Sequence, residues 1–75
     1  MIDLAFAKVL KRFRTERGVA QDTLAGYAGL HRTYVSQLER GLKSPSLRTI
    51  QKLAHSLGVS LVEFMVAVED ELDDV

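Results

Sequence analysis

Apolar residues recur at three- and four-residue intervals along nearly the whole chain, and no two-residue alternation persists. The pattern predicts five helices, the first four each closed by a glycine. The first runs from Asp3, its expected cap, to about Arg17, with Phe6, Val9, Leu10 and Phe13 as its inward stripe and Gly18 after it. The second runs from Gln21 to Ala28, with Leu24, Ala25 and Ala28 inward and Gly29 after it. The third runs from Arg32 to Arg40, with Val35 and Leu38 inward and Gly41 after it. The fourth follows Ser44-Pro45-Ser46, with Ser46 as cap and a stripe of Leu47, Ile50, Leu53, Ala54 and Leu57 before Gly58. The fifth begins at Ser60, where Ser60 and Glu63 fit a capping box, and runs to about Leu72. The connections are about two to six residues long, as in a compact helical domain.

Length and composition narrow this further. The 75 residues make one domain, 47% apolar. A domain of this size buries only about 60–65% of its unfolded surface, so its core is thin and contact with a partner would help it. There is no cysteine, so disulfides and thiolate metal sites are excluded, in keeping with a reducing cytoplasm. The start, Met1-Ile2-Asp3-Leu4, lacks the features of a signal peptide, and no apolar run approaches the ~18 residues of a membrane span.

The net charge of zero conceals a segregation. Residues 1–58 carry all ten Lys and Arg against four acids, a net +6, whereas residues 59–75 carry six acids and no base. The basic body suits a polyanion, and the acidic end should point away from one. The expected organisation is a basic helical domain over 1–68 and an acidic C-terminal tail over 69–75.

The informative stretch is QDTLAGYAGLHRTYVSQLER, from Gln21 to Arg40. Two short helices are joined by Gly29-Leu30-His31. Ala25 is small where the helices must cross closely, and Gly29 permits the positive φ of a tight turn. Leu24, Ala28, Leu30, Val35 and Leu38 can lock both helices to the core. Arg32, Thr33, Tyr34, Ser36 and Gln37 are left outward on the second helix, nearly all of them hydrogen-bonding groups suited to base edges in a major groove.

These residues resemble the phage-repressor (Cro/C1, or XRE-type) helix-turn-helix family, over about residues 6–65. The resemblance includes Lys11-Arg12-Phe13-Arg14, Glu16-Arg17-Gly18-Val19, Gln21, Leu24-Ala25, Ala28-Gly29-Leu30, Glu39-Arg40-Gly41, Pro45-Ser46-Leu47, Ala54, Leu57-Gly58-Val59 and Phe64. The run from Gly29 to Ser36 is similar to the controller proteins of restriction–modification systems, whereas the loop from Leu42 to Ser46 looks more like the general family. The resemblance implies a compact five-helix, lambda-repressor-like all-α domain that regulates transcription from a pseudo-palindromic operator, without cofactor or metal.

It also implies roles. Arg32 would read a base, with further base or phosphate contacts from Thr33, Tyr34, Ser36 and Gln37. Gln21 would donate to a phosphate and help to orient Arg32, and Arg40 and Lys43 would hold the backbone. Arg14 and Glu39 match a pair that bridges the first helix and the recognition helix. One departure is Ala20, where the family usually has Ser or Thr; the missing cap costs about 1 kcal/mol. Gly26 inside the same helix costs up to ~1 kcal/mol more.

Other residues stay open at this point. Lys8, Lys11, Arg12 and Lys52 either line the DNA backbone or simply solvate. His31 either bonds a backbone N–H at its helix start or touches phosphate, and His55 reads as an ordinary surface or interface residue. No nucleophile triad, carboxylate pair or phosphate-cradling loop is recognisable, so an enzyme is not expected.

The fifth helix is apolar nearly all round. Leu61, Phe64, Met65, Val68 and Leu72 cover one side, and Val62, Val66 and Ala67 extend the apolar surface. Such a helix should be buried on both faces, so a homodimer interface including Val62, Phe64, Met65 and Val66 is expected. No small-molecule effector or membrane is implied; the protein's own concentration is its expected input. The alternative is an antitoxin-type protein-interaction module on the same scaffold, with a non-specific nucleoid-type binder as a third reading.

Overall fold

The computed structural model describes residues 1–73 and contains five helices: α1 (Ile2–Glu16), α2 (Gln21–Ala28), α3 (Arg32–Glu39), α4 (Leu47–Ser56) and α5 (Leu61–Asp73). No strand occurs among the described residues. α1 is the hub: it packs antiparallel to α5 and also supports α3, while α2 packs on α3 and α4. α1 thus touches both α3 and α5, and α4 touches both α2 and α5.

The core is built from the inward stripes. Val9, Leu10, Leu24, Val35, Leu38, Leu53 and Phe64 are wholly buried. Three rings tie α1 to α5: Phe64 lies 5.4 Å from Phe6 and meets Phe13 edge-on at 5.5 Å. That arrangement favours the ring quadrupoles as well as burying area. Phe64 therefore belongs to the protomer's own core and cannot form the dimer surface expected of it.

The helix starts differ in how they are capped. Ser46 accepts a hydrogen bond from the Thr49 N–H at 3.1 Å, and Ser60 accepts one from the Glu63 N–H at 3.0 Å. Ala20 gives α2 no side-chain cap. Asp3 does not cap α1: the helix begins at Ile2 with Met1 before it, which leaves Asp3 inside the first turn. There its carboxylate faces the positive end of the helix dipole. His31 precedes α3 but makes no side-chain capping bond.

Leu47, expected on the inward stripe of α4, is instead 77% exposed as the first residue of that helix, and the buried stripe starts at Ile50. The acidic stretch from Glu69 to Asp73 is helical, with Glu71 3.6 Å from Lys8; Asp74 and Val75 of the expected tail lie outside the described residues. No described helix is long and apolar enough to cross a membrane.

Candidate nucleic-acid interface

The turn between α2 and α3 fixes everything that follows. Gly29 adopts φ 68° and ψ 34°, the left-handed conformation that a Cβ disfavours. This lets the Leu30 N–H reach back to the Ala25 carbonyl at 2.8 Å and ends α2 within one residue. Ala25 is buried, and so are Val35 and Leu38 on α3, so the two helices are held in contact at the crossing.

With Val35 and Leu38 inward, Arg32, Thr33, Ser36, Gln37 and Arg40 fall on one strip of α3, three and four residues apart. Arg32 and Thr33 are exposed, and Ser36 and Gln37 are half-buried. Arg32, Thr33 and Ser36 line an open cleft of about 180 Å³, and the residue across it is Gln21, at the start of α2. Residues from both motif helices thus converge on one concave polar surface.

Two residues assigned to the reading face stand apart from the cleft. Tyr34 is half-buried at the edge of the strip, packed partly on the core. Gln37 lies at the same margin of the strip, where its main-chain carbonyl accepts the Leu42 N–H at 3.0 Å. Arg40 is exposed, with its Nε 3.4 Å from the Ser36 carbonyl, and Lys43 is exposed in the loop that follows.

Behind the cleft is a buried polar cluster. Arg14 of α1 donates from Nε and Nη2 to the two carboxylate oxygens of Glu39, at 2.6 and 3.0 Å. Its Nη1 donates to the Val19 carbonyl at 2.8 Å. The Glu39 side chain is 3% exposed and that of Arg14 13%. A bidentate pair in which all three guanidinium nitrogens donate is the geometry in which a buried ion pair stabilises. The hydrogen bond to Glu39 holds the Arg14 guanidinium above its ordinary pKa, against the opposing effect of burial.

Gln21 completes the cluster: its Nε2 donates to Glu39 Oε1 at 3.0 Å. Sequence reasoning missed this contact, because it depends on how α2 crosses α3. Arg17, counted with the basic body, instead donates to the Leu57 carbonyl at the end of α4 and stacks on the Phe13 ring.

The α5 face carries a second surface of different character. Val62 and Val66 are 74% and 53% exposed, and with Leu61, Met65 and Glu69 they line a shallow, largely apolar groove of about 430 Å³. Among the described residues no cluster of metal-ligating side chains occurs.

A helix-turn-helix family model, HTH_3, matches residues 10–64, a span that includes α2, α3 and the buried cluster. The chain belongs to this helix-turn-helix family. Control protein C.MunI of Mycoplasma is 34% identical over 71 residues, covering 93% of this chain and 96% of that protein. The structure of the restriction–modification controller C.AhdI from Aeromonas hydrophila is 40% identical, with a TM-score of 0.80 over 83% of this chain and 94% of its own. The controller protein C.Esp1396I, solved as a tetramer with its natural 35 base-pair operator, is 30% identical, with a TM-score of 0.88 over 95% of this chain and 93% of its own. Other relatives are longer than this family member, which spans 46% of one and 59% of another.

Proposed function

We infer that this chain is a sequence-specific, DNA-binding regulator of transcription that works as a homodimer in the cytoplasm. The observation that carries this reading is the convergence of Gln21 with Arg32, Thr33 and Ser36 on one open polar cleft of a family helix-turn-helix. Arg32 reads a guanine through its two-pronged guanidinium, Thr33, Ser36 and Gln37 add groove contacts, and Tyr34 flanks them. Arg40 and Lys43 hold the phosphate backbone. No catalytic step, cofactor or effector enters the mechanism.

Val62 and Val66 meet their counterparts in the second copy, with Leu61 and Met65 beside them. The protomer measures 31 × 23 × 23 Å, so two copies side by side suit recognition helices about 34 Å apart, one turn of DNA. Because a single copy grips only one half-site, occupancy rises steeply with protein concentration. This suits a controller of its own gene, the role that the likeness to C.MunI, C.AhdI and C.Esp1396I supports.

The test is binding to the DNA upstream of the protein's own gene and to random DNA, across a salt series. A site bound at least ~10³-fold more tightly than random DNA at physiological salt is expected. Equal, weak and steeply salt-dependent binding to every sequence, including a randomised pool, would overturn the reading.

A further inference from the structure

We propose that Glu39 is a positioning residue for DNA recognition, setting through Gln21 which face of an amide Arg32 meets; this rests on the DNA-reading function proposed above. The starting point is a constraint of polarity. A carboxylate hydrogen-bonded to a guanidinium can only accept, and Glu39 Oε1 already takes Arg14 Nη2 at 3.0 Å. The side chain of Gln21 that meets the same oxygen at 3.0 Å must therefore present its NH₂ group inward. Its carbonyl oxygen is then turned toward the other side, where the cleft holds Arg32, Thr33 and Ser36.

An amide free to flip would offer Arg32 a donor as readily as an acceptor, and a donor repels a guanidinium. Fixed as it is, Gln21 offers an acceptor to a side chain that has only donors. An Arg held on one side by an acceptor keeps its planar fork in one orientation, and orientation is what bidentate reading of a base requires. Arg14 locks Glu39, Glu39 locks Gln21, and Gln21 turns its acceptor toward the cleft that Arg32 lines, where it can limit the rotation of Arg32 on DNA. This chain of contacts also accounts for an acid as the last residue of α3, where the helix dipole disfavours one.

The test begins with sites selected by the unmodified protein from a randomised DNA pool, which identify the base pair that Arg32→Ala relaxes. Glu39→Gln and Gln21→Ala are then compared with the unmodified protein at that base pair and at its three alternatives. Each variant is expected to lose about tenfold in discrimination there, the scale of one bidentate contact, with preference elsewhere in the site unchanged. Adding Arg32→Ala to Gln21→Ala should remove little further discrimination. Gln21→Ala leaves the Arg14–Glu39 pair intact, so it remains informative if Glu39→Gln does not fold. A readout free of DNA is the Gln21 side-chain amide in NMR spectra: its protons should exchange more slowly than those of the exposed Gln51. A uniform loss of affinity across all sequences in Gln21→Ala would overturn the proposal, since it would leave Gln21 as a phosphate contact alone. So would unchanged base preference in a folded Glu39→Gln, or a Gln21 amide that exchanges as fast as Gln51. If the unmodified protein selects no sequence at all, the proposed function falls and this inference falls with it.

Discussion

The side chain of Leu4 occupies the space that a Cβ on Gly41 would enter: such an atom would lie 2.5 Å from Leu4 Cδ2. Gly41 also has φ +72°, so an L-residue there is strained by its backbone before any contact is counted. Gly41→Ala should cost about 1–2 kcal/mol in urea unfolding. The cost should shrink in a Leu4→Ala background. An equal cost in both would mean that the backbone strain acts alone and Leu4 swings aside freely.

Arg32 and Lys43 should differ in kind. Arg32→Ala is expected to cost about 1–3 kcal/mol at the cognate site and to relax selection at one base pair. Lys43→Ala should weaken binding to all sequences alike and lower the salt slope by about one. Fluorescence anisotropy over a salt series separates the two behaviours, and cognate affinity unchanged by Arg32→Ala would move the reading face elsewhere.

Arg14→Ala should be severe. It strands a carboxylate that is 3% exposed with one neutral donor, a defect of about 3–5 kcal/mol. Against a total stability of about 5–15 kcal/mol for a whole domain, much of the fold is lost. The Arg14 pKa is raised in the folded state, so its contribution is complete at every pH below the unfolded value and disappears only in strong alkali. The destabilisation measured by chemical unfolding should therefore be the same at neutral and mildly alkaline pH.

The α2 helix should be open to improvement. Ala20 has the extended backbone of a cap, φ −73° and ψ 159°, but no group to do the capping. Ala20→Ser should add about 1 kcal/mol. Gly26 is helical with nothing within 4 Å of a built Cβ, so Gly26→Ala should add up to ~1 kcal/mol. Thermal unfolding of the two variants, singly and combined, measures both gains.

Val66→Lys should divide the protein's behaviours. Val66 is 53% exposed, so the protomer should keep its fold and its unfolding temperature measured as a monomer. Sedimentation should change from dimer to monomer, and binding to a two-half-site operator should weaken strongly while binding to a single half-site persists. A variant that still sediments as a dimer would place the interface away from this groove.

Most of the fold was legible because each of the first four helices stops at a glycine, and the spacing of Leu24, Ala28, Val35 and Leu38 leaves one choice of inward face. The Arg14–Glu39 pair was legible through family likeness alone, since twenty-five residues separate its members. Phe64 was not legible as a core-only residue. α5 is apolar on nearly every side, and periodicity cannot say which stripe the protomer keeps; the position of Phe6 and Phe13 on α1 decides it. Leu47 failed for the opposite reason: its spacing is right, but as the first residue of α4 it is left exposed and the buried stripe starts at Ile50. The Gln21–Glu39 bond, and with it the direction of the Gln21 amide, is a product of interhelix geometry that no linear pattern encodes.

The separation of charge between the basic body and acidic α5 makes this protein an electric dipole with no net monopole. At long range DNA exerts no overall pull on such a particle; it exerts a torque. At physiological salt the field decays over about 8 Å, well inside the 31 Å length of the protomer, so the turning happens only in the last moments of approach. On the proposed function, a protomer arriving with its acidic C-terminal helix forward would be pushed off, and one arriving with the basic body forward would be held. On that function the acids at the C-terminal end would act as a rudder for collision, selecting the orientation in which the groove is first met.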